Sequence, residues 1–230
     1  MRVLGLPLPV PGTRLSGSWA DNPLWAPIYD WVVEHERVGG TLWRLGTDSD
    51  LSALYDAADE IGRLPAGSRV LDLPCGGGVA LRGLRPGQRL DYLAADISAA
   101  MLDRTMAAAD RHGLADQVRP VTADVAALDF ADGEFDLVVS FTGLHCFPDP
   151  HAAVLELARV LRPGGVLTGS ALLNDTGLRF EGLRVGGRAA GLLGPSCTTP
   201  ELLAWLAEAG LTRVRAETSG AFVYFRGVRT

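Results

Sequence analysis

The segment Val70-Leu71-Asp72-Leu73-Pro74-Cys75-Gly76-Gly77-Gly78 constrains this chain more than any other. An apolar run that passes straight into clustered glycine predicts a buried strand followed by a tight loop. Glycine takes positive φ without strain and lets a ligand approach the main chain, and a helix opening after the loop would add free N–H groups. Alone, the signal is modest. Gly76-x-Gly78 is followed by Leu81 rather than the third glycine of a full GxGxxG, and a structural turn accounts for it as well. Asp72, inside the strand end, adds a carboxylate that can receive a cationic amino group directly or through water.

Downstream, strand-like runs (Arg69 to Leu73, Leu90 to Ala95, Val118 to Ala123, Phe135 to Phe141, Val166 to Leu172) alternate with helical patterns at Ser98 to His112 and Pro150 to Leu161. Such alternation predicts an α/β fold, a parallel sheet with helices on both faces. Asp149 is the expected N-cap of the second helix, with Pro150 at its first position and Arg162-Pro163-Gly164-Gly165 as its stop. A last helix, Pro200 to Ala209 with Thr199 as its N-cap, precedes two runs joined only by Ser219-Gly220, which predicts a C-terminal antiparallel β-hairpin. Helical spacing at Leu51, Leu54, Tyr55, Ala58 and Ile61 predicts a helix ahead of the first strand. Residues 174–199 are Gly-rich and read as a partly helical insertion on the acceptor side. Residues 1–48 carry Trp19, Trp25, Trp31 and Trp43 and read as an N-terminal extension or lid, its rings either padding the core or lining a pocket.

At 230 residues with 47% hydrophobic and 21% charged side chains, one folded domain is expected, 49–230 plus its extension. A net charge of -6 supplies no basic field for a nucleic-acid backbone. Cys75, Cys146 and Cys197 form no CxxC pair, so no metal is expected, and reduced thiols in a cytoplasm are the simplest reading. Pro7, Pro9 and Pro11 interrupt the early apolar stretch before it could form a leader's core, and no run reaches the roughly 18 residues of a membrane span.

Asp96 closes the second strand, 20 positions after Gly76, where an acid accepts the hydroxyls of a bound ribose; a helix N-terminal acid favoured by the dipole is the competing role. Asp124 closes the third strand and could accept from an adenine amino group while the Val125 N–H faces a ring nitrogen. VLDLPCGGG, AADIS, TADV, FDLVVSFTGLHCFPDP and RVLRPGGVL then resemble, in order and spacing, the class I S-adenosylmethionine (SAM)-dependent methyltransferases, above all the ubiquinone/menaquinone-biosynthesis type. The resemblance covers about residues 65–172. It implies a Rossmann-like seven-stranded, mostly parallel sheet and SAM as cofactor, the glycine loop cradling the methionine part, Asp96 the ribose and Asp124 the adenine. The implied cofactor-binding set is Asp72, Pro74, Cys75, Gly76, Gly78, Asp96, Ile97, Ser98, Met101, Asp124, Val125, Phe141 and Thr142. Pro74 stands where the family usually has its first loop glycine and removes one N–H donor.

His145, on the segment after the fourth strand, is the histidine expected near the transferred methyl group. It is either a general base or a residue that fixes the turn. The expected function is methyl transfer from SAM to a small, apolar biosynthetic acceptor, with no nucleic-acid partner and a homodimer left open. A methyltransferase-like cyclase or rearrangement enzyme that uses SAM structurally, or a non-enzymatic SAM-binding module, would share the same motifs. A nicotinamide dehydrogenase is disfavoured by the missing third glycine and by the absence of lysine from the chain.

Overall fold

The computed structural model describes residues 36–230 and two short strands, Arg2–Val3 and Leu6–Pro7, which pair antiparallel. Seven further strands form one sheet: β1 (Arg69–Asp72), β2 (Asp91–Asp96), β3 (Val118–Thr122), β4 (Phe135–Phe141), β5 (Leu161–Leu172), β6 (Leu211–Ser219) and β7 (Phe222–Arg229). Their spatial order is 3-2-1-4-5-7-6, with β1 to β5 parallel and β7 antiparallel to both β5 and β6. The central strands are apolar on both faces, as burial between two helical layers requires. Val70, Leu137 and Val139 enter one core cluster, Leu71 and Val138 the other. The chain leaves β1 toward β2 and β3 on one side and returns to β4 on the other. This opens a crevice beyond the carboxyl ends of β1 and β4, the topological switch point where open α/β sheets take their ligands.

Among the described residues six helices cover the sheet: α1 (Glu36–Thr47), α2 (Leu51–Gly62), α3 (Ala99–Arg111), α4 (Pro150–Arg159), α5 (Glu181–Ala189) and α6 (Thr199–Glu208). Side chains cap them where the sequence places capping residues. Ser98 caps α3, and Asp149 caps α4 by accepting from the Ala152 N–H at 2.9 Å. On α6 the cap is Thr198 rather than Thr199, because Thr198 and Glu201 close a reciprocal capping box; Thr199 becomes helical and donates to Asp175.

One expectation needs correction. The glycine loop opens not into an α-helix but into a 3-10 turn, Val79–Gly83, that ends at Leu84 in extended backbone. Pro86 disfavours helical backbone in its predecessor, and β2 must start at Asp91, so the chain there is too short for more. Of the two roles left open for the rings of the extension, Trp43 takes core padding: it is 7% exposed and stacks on Phe222 of β7 with ring centroids 4.8 Å apart. Trp19, Trp25 and Trp31 lie outside the described residues. In the insertion, Phe180 is buried and Leu193 packs against the core, whereas Leu178 and Leu183 are exposed. Buried Arg184 of α5 ties the insertion to the end of β5 through the carbonyls of Leu173 (3.1 Å) and Gly177 (2.8 Å). Among the described residues no helix is long and apolar enough to cross a membrane.

Candidate active site

The parallel register of β1 and β2 sets Asp72 opposite Ala94, so Tyr92 and Asp96, two residues either way along β2, present their side chains on the same sheet face as Asp72. The Tyr92 hydroxyl donates to Asp72 Oδ2 at 2.8 Å, and both side chains are buried. Burial pushes the Asp72 carboxyl up to about 8; the Tyr92 hydrogen bond opposes the rise and the Asp96 charge adds to it. Neither Asp72 nor Asp96 makes an ion pair among the described residues.

Asp96 holds the glycine loop. Its Oδ2 accepts from the Gly76 N–H at 3.1 Å and its Oδ1 from the Ser98 N–H at 2.9 Å. Burial raises its carboxyl, while the N–H groups of Ser98, Gly76 and Ile97 pull it back down. Thr105 of α3 locks the loop from behind by donating to the Gly76 carbonyl at 2.7 Å and to Cys75 Sγ at 3.4 Å. The Cys75 thiol is buried and pushed well above its ordinary range by that burial. Gly78 packs against α3, near Ala108 and Thr105, whereas above Gly76, at φ 51°, a Cβ would meet nothing within 4 Å. The loop therefore offers an open cradle at Gly76 and a filled one at Gly78.

Along the rim, Ile97 is 69% exposed beside the buried Asp96. A large apolar residue held open at a strand end suits the face of a flat ring. Ser98 and Met101 belong to the first turn of α3, where the Met101 N–H donates to Ser98 Oγ at 3.4 Å and the Met101 side chain is buried. Asp124 is exposed at the end of β3, its Oδ1 engaged by the Ala126 N–H at 2.9 Å, while Val125 is buried.

On the far side of the crevice, Phe141 ends β4 and Thr142 turns the chain at φ 53°, its N–H donating to the Ser170 carbonyl at 2.9 Å. The Thr142 hydroxyl donates to the Phe141 carbonyl at 2.8 Å. Gly143 lies under the Pro74 ring, where a Cβ would stand 2.2 Å from Pro74 Cδ. Pro74, which the sequence marks as a missing donor, is thus the contact that joins the β1 and β4 loops. His145 is buried, and its Nδ1 accepts the Leu172 N–H at 3.0 Å. That bond puts the ring proton on Nε2 and occupies the lone pair a base would use. Burial lowers the ring to about 4, so it stays neutral. Of the two roles the sequence leaves open, turn-fixing is the one this geometry supports.

Sequence reasoning missed Tyr92, Thr105 and Gly143. Tyr92 reads as an ordinary core aromatic, and only the β1–β2 register shows that it reaches Asp72.

The residues fit SAM: an open cradle at Gly76, a buried acid beneath it that retains acceptor capacity, an exposed apolar rim at Ile97, and a deeper carboxyl at Asp72 lacking a counter-charge.

Comparison with known proteins points the same way. Residues 70–165 match the model of a methyltransferase domain. Over 180 residues the chain is 34% identical to 27-O-demethylrifamycin SV methyltransferase of Amycolatopsis mediterranei, covering 74% of this chain and 66% of that one. It is 37% identical over 142 residues to demethylmenaquinone methyltransferase of Mycolicibacterium paratuberculosis, covering 62% and 56%. The chain spans from about a sixth to two thirds of the length of the curated relatives it matches. Among solved structures, the [4+2]-cyclase SpnF superposes with a TM-score of 0.63 at 20% identity, over 78% of this chain and 81% of that one, a likeness of fold alone.

Proposed function

The chain belongs to the class I SAM-dependent methyltransferases, and on that premise we propose that it moves the methyl group of SAM to a small, largely apolar acceptor held over the carboxyl ends of β4 and β5. The observation that carries the reading is the pairing of a buried Asp96 with the open cradle at Gly76 and the exposed Ile97 beside it.

In this reading the Gly76 loop holds the amino-acid end of the cofactor and Asp72 receives its cationic amino group. Asp96 accepts the ribose hydroxyls, Ile97 covers the adenine face and Asp124 accepts from the adenine amino group, with the Val125 N–H beside it. Bound SAM supplies a methyl group already activated on a sulfonium. What remains for the chain is to set an acceptor in line with that methyl and exclude water, and such positioning is worth roughly 7 to 11 kcal/mol. His145, its lone pair committed to Leu172, keeps the β4 turn and β5 in register beneath the acceptor. The names of two relatives, acting on a demethylrifamycin and a demethylmenaquinone, support an extended apolar acceptor, as does the aliphatic character of the insertion.

Calorimetry tests the cofactor reading. S-adenosylhomocysteine (SAH) should bind in the micromolar range, about -8 kcal/mol, and NAD should give no heat. Tight NAD binding without SAH binding would sink it. Incubation with SAM and candidate acceptors should release SAH in proportion to product; an acceptor converted while SAM stays intact would support the rearrangement enzyme instead.

A further inference from the structure

Tyr92 and Asp72 form a buried polar pair to which methyl transfer itself assigns no task for the tyrosine. At a packed strand position phenylalanine would fill the same volume, and a buried hydroxyl is costly unless it has a partner. The partner here is a buried carboxyl at the switch point that makes no ion pair among the described residues.

We propose that Tyr92 is a positioning residue for the cofactor: its hydroxyl holds Asp72 so that docking of the cofactor's cationic amino group drives the Asp72 proton into solvent, which makes binding proton-releasing. The inference rests on the SAM reading given above.

The groups facing Asp72 define the balance. From β2 come the Tyr92 hydroxyl, 2.8 Å away, and the Asp96 charge, and from the loop comes the Cys75 thiol. The nearest hydroxyl on α3, that of Thr105, is engaged by Gly76 and Cys75. Tyr92 is itself pushed well above the ordinary phenol range by burial and then by Asp72, so it remains a donor at every pH the protein would meet. In the free protein two buried acids without a cation favour one retained proton, in keeping with the rise of Asp72 to about 8. When an ammonium group arrives, the Asp72 O–H bond breaks, the proton leaves to solvent and the ammonium keeps all of its own. One proton is released per ligand bound, and Tyr92 continues to donate to the carboxylate formed.

The test is SAH titration by calorimetry between pH 6 and pH 9, in paired buffers of different ionisation enthalpy. Wild-type protein should release close to one proton near pH 6.5, its affinity should rise up to tenfold per pH unit, and both trends should level off above about pH 8. Tyr92→Phe, which removes a donor to the ionised form, should bind SAH about tenfold more weakly at pH 7 and level off at higher pH. Asp72→Asn should release no proton. 5′-Methylthioadenosine, which keeps the nucleoside and thioether but lacks the amino group, should release none from wild type. A role for Tyr92 in packing alone would lower the melting temperature without moving the pH profile, and that result would overturn the proposal. So would a wild-type SAH affinity that is flat from pH 6 to 8, an outcome that stands even if Tyr92→Phe fails to fold. Absence of SAH binding would sink the cofactor reading itself, whereas SAH binding without proton release sinks only this inference.

Discussion

Asp96 and His145 stand at the ends of neighbouring loops and differ in what their lone pairs are doing. The Asp96 oxygens accept amide N–H groups from Gly76 and Ser98 and keep lone pairs to accept again, whereas the single lone pair of His145 is spent on the Leu172 amide. Removing the first should therefore be felt in binding. Asp96→Ala is expected to weaken SAH binding by about a hundredfold or more, since two charge-assisted hydrogen bonds to ribose contribute about 1.5 to 3 kcal/mol each. Unchanged affinity in a folded variant would displace the nucleoside from this acid. His145→Ala leaves a buried amide unpaired, at a cost of about 1 to 3 kcal/mol in stability. It should lower turnover only a few-fold and leave the pH profile of kcat without a lost limb. A hundredfold drop with loss of such a limb would restore the base. The place of Asp96 beside the glycine loop was legible in the sequence, because an acid closing the next strand lies at a fixed offset from that loop. The role of His145 was not, because it depends on which ring nitrogen meets an amide 27 positions away.

At the scale of elements, the strands could be read directly, since a parallel strand covered on both faces must be continuously apolar and the linking helices carry their own caps. What the sequence left open was set by contacts distant in the chain. A tryptophan among prolines and glycines looks like an appendage, yet α1 carries Trp43 onto Phe222 of the terminal hairpin, and the Ala221 N–H donates to the Thr47 carbonyl at 2.8 Å. Trp43→Ala should then cost about 3 to 5 kcal/mol in chemical denaturation while leaving the SAH dissociation constant within about twofold. A variant of unchanged stability that bound SAH poorly would move Trp43 from the core to the pocket. The Pro74–Gly143 contact makes the opposite case. Gly143→Ala forces the β1 and β4 loops apart at the mouth of the crevice, where a Cβ would overlap the proline ring. It should reduce SAH affinity at least tenfold, and normal affinity would show that the two loops move independently.

For the whole molecule, the buried titratable groups predict how stability follows pH. Asp72 is raised by burial from 3.8 to about 8, so between those values the folded chain holds a proton that the unfolded chain has released, and rising pH favours unfolding. His145 is lowered by burial from 6.5 to about 4, so between those values the unfolded chain holds the extra proton, and rising pH favours folding. The two effects oppose each other from about pH 4 to 6.5. Above 6.5 the histidine is neutral in both states and no longer opposes the Asp72 effect. Urea denaturation of the free protein should therefore show stability falling from pH 6.5 to 8, with a slope approaching about 1.4 kcal/mol per pH unit. Asp72→Asn should flatten that fall. Saturating SAH should also flatten it, because a ligand that holds Asp72 ionised binds more tightly as the proton becomes easier to remove, and the gain on binding offsets the fall in folded-state stability. A wild-type profile that is flat from pH 6.5 to 8 without SAH would mean that Asp72 is already ionised in the empty site and that its burial is offset by something other than a retained proton.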